Sequence, residues 1–129
     1  MKSRDTLIRL KRFQVDEKRR RVAQIEMMIA EFNRMAADLD REISAEEQKA
    51  GIADPNHFAY PTYARAAGQR RDNLRQSAQN LQTQLDDAKA ELGEAFEELK
   101  KAESLEDRER SLDAAISQAN QARAMRASA

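Results

Sequence analysis

The sequence predicts an all-α fold of two long helices folded back on each other as an antiparallel coiled-coil hairpin. Three observations predict it. Apolar residues repeat every seven positions on both sides of a single turn-forming segment. Glycine and proline are nearly absent elsewhere, with three and two copies in 129 residues. The segments that folding at that turn brings together carry opposite charge. With 36% charged residues, 5% aromatic residues and a mean hydropathy of −0.89, too little apolar material exists to wrap a globular core. The core is therefore expected to be a narrow seam.

The first helix is expected over residues 4–50. Ile8, Val15, Val22, Ile29, Ala36, Ile43 and Ala50 stand seven apart, and Lys11, Lys18, Ile25, Phe32, Leu39 and Glu46 follow each by three. Such paired columns are the a and d positions of a heptad seam. Met27, Met28 and Met35 lie on or beside this face and read as packing filler. Gly51 is a natural C-cap, and residues 51–62 form the loop, IADPNHFAYPT with both prolines.

The second helix is expected over 63–122, with Thr62 as its N-cap and a frayed tail over 123–129, all within one domain, 1–129. Its columns are Ala78, Leu85, Leu92 and Leu99 beside Leu74, Leu81, Ala88, Ala95 and Ala102. Alanine in one column permits close approach of the helices. Beyond Ala102 the apolar phase is expected to slip, since Leu105 and Leu112 leave the earlier columns to Glu106 and Glu109. The longer second helix should overhang the start of the first.

Charge selects the pairing. Met1–Val22 carries net +6 and Ala23–Ala50 net −4, whereas Tyr63–Gln82 carries +3 and Thr83–Asp113 −6. An intramolecular antiparallel pair sets +6 beside −6 and −4 beside +3. A parallel pair would set basic against basic, so a hairpin that is a monomer when free is favoured.

The same composition bounds function. No cysteine is present, and no stretch has the ~20 consecutive apolar residues of a membrane span or the apolar core of a signal peptide. A cytoplasmic location without direct membrane insertion is expected. Zero net charge offers no bulk attraction to nucleic acid, and the basic run has only Phe13 as an interleaved ring, so no nucleic-acid partner is expected. The single histidine, His57, has Asp54 nearby but no second imidazole and no nucleophile in local reach. Neither phosphate-binding glycine loops nor HExxH occur. An enzyme is not expected, nor are catalytic residues, cofactors or metals.

Two groups of residues stand out as candidate partner-binding sites. The loop tip gathers His57, Phe58, Tyr60 and Tyr63, which serve either as a plug closing the seam or as a docking knob of the kind interface hot spots use. The terminal end gathers Arg9, Arg12, Lys18, Arg19, Arg20 and Arg21, either a solvated face neutralised by the acidic second helix or a collar for an acidic partner. Lys11 and Lys18 fall on the seam itself, so this end is expected to be the less stable one.

In length, in Leu7 and Leu10 with the charged helix after them, and above all in DPNHFAYPTYARAA over Asp54–Ala67, the chain resembles the FliJ family of flagellar export proteins. The resemblance implies a non-enzymatic component of the flagellar type III protein export apparatus, a stalk-like coiled coil similar to the central stalk of rotary ATPases. It implies three partners: the hexameric export ATPase, the membrane export gate protein, and the export chaperones whose recycling the family assists. It places the protein at the inner membrane peripherally, through that apparatus, in flagellum biogenesis and motility. A general coiled-coil adaptor or chaperone for other helical proteins is the alternative.

Overall fold

The computed structural model describes residues 2–128, with no side-chain description for Lys2. Two helices make up the fold, α1 over Lys2–Ala50 and α2 over Thr62–Ser128, and they pair antiparallel as a helical hairpin. Contacts divide the chain into two units, to each of which both helices contribute. Unit 1 comprises residues up to Arg19 with those from Ala90 onward, and unit 2 comprises Arg20–Lys89.

The unit 2 seam follows the 3,4 spacing of the sequence. Val22, Ile25, Ala36 and Ile43 of α1 are buried, as are Ala64, Ala67, Ala78, Leu81, Leu85 and Ala88 of α2. Ile25, at 1% exposure, is the one large side chain fully enclosed among the described residues. These six buried residues of α2 thus include four alanines, so the helices approach closely with little apolar volume between them. Asp40 accepts from Arg71 at 3.0 Å and also pairs with Arg75, one carboxylate on α1 holding two guanidiniums on α2. The Arg71 pKa is raised, first by that hydrogen bond. Here the net-negative half of α1 meets the net-positive start of α2.

In unit 1 the apolar seam thins to Ile8 and Val15 of α1 and Ala95 and Ala102 of α2. Ion pairs run along it: Arg4 with Glu109, Lys11 with Glu98 at 2.8 Å, Arg12 with Glu103 at 3.6 Å and Lys18 with Glu91 at 3.0 Å. The two seam lysines are thereby matched by carboxylates on α2. Glu98 is the measure of this matching, since the Lys11 ammonium holds its carboxyl below the ordinary value of 4.5.

Three expectations need correction. The phase of α2 does not slip after Ala102. Glu106, with its side chain only 15% exposed, and the half-buried Glu109 continue the seam column, while Leu105 and Leu112 stand on the surface. An unbroken helix turns ~100° per residue whatever it carries, and Arg110 and Arg4 supply the cations that let carboxylates sit there. Residues 123–128 are helical rather than frayed, as suits a run of alanine, arginine and methionine, and Ala129 lies outside the described residues. Met27 and Met28 are exposed, and of the three methionines Met35 alone is half-buried as filler.

The turn is built from local chemistry. Gly51 has φ 69°, the left-handed conformation of a helix C′ residue, and the Ile52 N–H reaches back to the Glu47 carbonyl at 3.3 Å. Ile52 then packs with Leu39 against Ile43, Tyr60, Ala64 and Ala67. At the far side the Arg65 N–H donates to the Pro61 carbonyl at 3.0 Å, so Pro61 rather than Thr62 stands at the N-cap and α2 starts one residue earlier than expected.

Candidate partner-binding sites

At the loop, Asp54 organises the turn. Its carboxylate accepts from the Asn56 N–H at 2.9 Å and its carbonyl from the His57 N–H at 3.0 Å. The Ala59 N–H donates to His57 Nδ1 at 3.0 Å, and the Tyr60 N–H donates to the His57 carbonyl at 3.1 Å. His57 is thus a structural acceptor in the turn, exposed, with its ring stacked on Phe58 at 4.7 Å between centroids.

The aromatic residues of this segment divide into plug and knob. Tyr60, 7% exposed, closes the seam over Ile43, Ala64 and Ala67. Its hydroxyl donates to Glu47 at 2.8 Å, and the Arg65 guanidinium lies 5.5 Å over its ring. Burial and then that hydrogen bond raise its pKa. Tyr60 therefore has little surface to offer a partner, contrary to its inclusion among docking residues. Phe58 is 96% exposed. Tyr63 lies between, at 54%, its hydroxyl donating to Glu42 at 2.6 Å, which raises its pKa.

Which aromatic faces inward was not legible, because in an irregular loop no period assigns a side. Beside Tyr60 a groove of about 510 Å³ is lined by Ile43, Tyr60, Ala64 and Gly68. Its Asp40 and Glu47 carboxylates are matched within the chain.

The basic residues fall in both units. In unit 1, Arg12 and Lys18 are tied to Glu103 and Glu91. Arg19 lies 3.8 Å from Asp16, with its guanidinium 5.4 Å over the Phe96 ring. Arg9 enters no ion pair among the described residues, and lines a notch of about 240 Å³ with Asp5, Ile8, Arg12, Glu106 and Arg110. Three guanidiniums around one half-open notch suit a carboxylate donated by a partner. Arg110 was not singled out from the sequence, whereas Glu106 already stood in the seam column by its spacing of 99, 102, 106 and 109. In unit 2, Arg20 and Arg21 are exposed and enter no ion pair among the described residues.

Among the described residues no three of His, Cys, Asp and Glu gather as metal ligands, and no helix is long and apolar enough to cross a membrane. The arrangement offers exposed cations and, in Phe58, a ring that is 96% exposed. No family model, no curated protein and no solved structure matches this chain.

Proposed function

We propose that this protein is a non-enzymatic, stalk-like component of the flagellar type III export apparatus, coupling an export ATPase ring to the membrane export gate and assisting chaperone recycling. The resemblance of Asp54–Ala67 to the FliJ family supports it. The observation that carries it is the character of unit 1, a helix pair held by surface ion pairs over a thin alanine-rich seam, with Arg9 in no ion pair among the described residues. A slender helix pair that presents alternating charge engages successive subunits of a ring through contacts that form and break without a sticky apolar interface. Phe58, held out on a hydrogen-bonded turn, supplies a separate anchor for the gate protein.

The test is ATP turnover by the hexameric export ATPase with and without this chain. Turnover should rise on addition, and Arg9→Glu with Arg12→Glu should abolish the rise while Phe58→Ala leaves it intact. Indifference of the ATPase would overturn the stalk reading. The second reading, a general adaptor or chaperone, is favoured by the exposed Met27 and Met28, since flexible thioether side chains suit adaptable contacts. It requires client binding that Met27→Ser with Met28→Ser weakens.

A further inference from the structure

Unit 1 leaves an apolar strip uncovered. Leu105, Leu112 and Ile116 of α2 are each about half exposed. Their spacing of seven and four places them on one side of the helix, and Arg123, seven residues further, falls on the same line at ~3.6 residues per turn. The pair Arg12–Glu103 and the notch of Arg9, Arg12 and Arg110 mark the opposite side of this helix pair. Helix periodicity puts Leu7 and Leu10 of α1 on the same side as the strip. The pairs Arg4–Glu109 and Lys11–Glu98 set Leu7 level with Leu105. Beyond Arg110 the helix has no cover at all, every residue from 111 to 128 being exposed.

We propose that a second copy of this chain covers the strip, with the 111–128 segment of each α2 lying antiparallel along residues 93–110 of the other copy's α2 about a two-fold axis. The charge pattern chooses the occupant. After Asp113 the helix carries Arg123 and Arg126 and no acid, whereas Glu94, Glu97 and Glu98 lie on the other side of the apolar residues. A strip whose two ends have opposite charge is complementary to itself when reversed. Opposing Leu105 to Ile116 of the other copy brings Arg123 to Glu98 and Arg126 to the Glu94 and Glu97 region, at both ends of the contact. Lys101 then faces the uncharged Asn120, and Lys100 stays with its own Glu97 at 3.7 Å. A parallel pairing would set Arg123 on Arg123 and Glu98 on Glu98.

Each projecting segment would lie beside Leu7, Leu10 and Leu105 of the other copy, so that α1 and α2 of both chains share one four-helix core. The five half-exposed side chains offer on the order of 400 Å² of apolar surface per chain, close to the apolar share of the ~800 Å² that each partner buries in a stable pair.

Sedimentation of the full chain over a concentration series tests this. The expected result is reversible formation of a species of twice 14.7 kDa. Leu112→Asp with Ile116→Asp should weaken it by at least about tenfold without loss of helical circular dichroism, since both side chains lie on the surface. Arg126→Glu should also weaken it, and adding Glu94→Arg and Glu97→Arg to the same chain should restore it. The chain has no cysteine, so single cysteines report the register. Leu105→Cys should cross-link to Ile116→Cys on another chain and not to itself. A 14.7 kDa species at every concentration overturns the proposal and leaves the strip to a helix of another protein. A pair indifferent to the aspartates, or self-linking of Leu105→Cys, overturns it as well.

Discussion

Ile25 shows how much a single residue carries in a seam this thin. It is the one large side chain fully enclosed among the described residues, in a seam only two columns wide, so removing it leaves a void that the surrounding side chains close poorly. Ile25→Ala should cost about 2–4 kcal/mol, measured by chemical denaturation. Phe58 is the opposite case. Almost wholly exposed, it contributes nothing to the seam, so Phe58→Ala should leave the melting temperature unchanged while abolishing binding through the loop. Tyr60→Ala should do the reverse, lowering the melting temperature by opening the seam over Ile43 and Ala67. If the two variants acted alike, the division into plug and knob would be wrong.

At the scale of the element, the two units differ in what holds them. Unit 1 depends on carboxylates meeting cations across a seam that Arg4, Lys11, Lys18, Glu106 and Glu109 interrupt, whereas unit 2 retains isoleucine, leucine and alanine. Amide hydrogen exchange should therefore be faster over Leu7–Lys18 than over Ile25–Leu39. The difference should widen in high salt, which screens exposed pairs. Equal protection would show the seam charges to be harmless.

The sign of the pH dependence follows from Glu98. Its carboxyl is held below 4.5 by Lys11 in the folded chain, so the contribution is present above that value and is lost as pH falls through the lower folded value. An NMR titration of Lys11→Gln should find the Glu98 carboxyl back near its ordinary range.

For the whole molecule, the balance of net charge conceals an ordered distribution. Folding matches +6 with −6 and −4 with +3, and the ion pairs Lys11–Glu98, Lys18–Glu91 and Arg71–Asp40 are the residue-level form of that ledger. Reversing the long-range pairs of unit 1 together, with Lys11→Glu, Lys18→Glu, Glu91→Lys and Glu98→Lys, should preserve the hairpin, since each pair is kept with its sign exchanged. Either half of that set alone should lower helicity and the melting temperature, measured by circular dichroism. Among the described residues, Arg9 in unit 1 and Arg20 and Arg21 in unit 2 are among the cations that enter no ion pair, and Phe58 on the loop is 96% exposed.

The all-α hairpin, the turn at Gly51 and the antiparallel pairing of charge were legible in the sequence alone, because each rests on local spacing or on summed charge along a continuous helix. A seven-residue repeat fixes which face is apolar, one glycine ahead of two prolines fixes where the chain reverses, and opposite charge fixes which halves meet. Three matters were decided by the tertiary structure. Leu105 and Leu112 look like a displaced seam until the partner helix is in place. The opposing Arg4 and Ile8 then show that Glu106 and Glu109 hold the inward positions and the leucines face outward. Tyr60 and Phe58 differ by two residues and have similar rings, and only the turn around Asp54 and His57 turns one into the seam and the other away from it. The exposure of every residue from 111 to 128 is likewise a property that no repeat in α2 announces. A repeat specifies a face, but which face is covered depends on where the opposing helix lies.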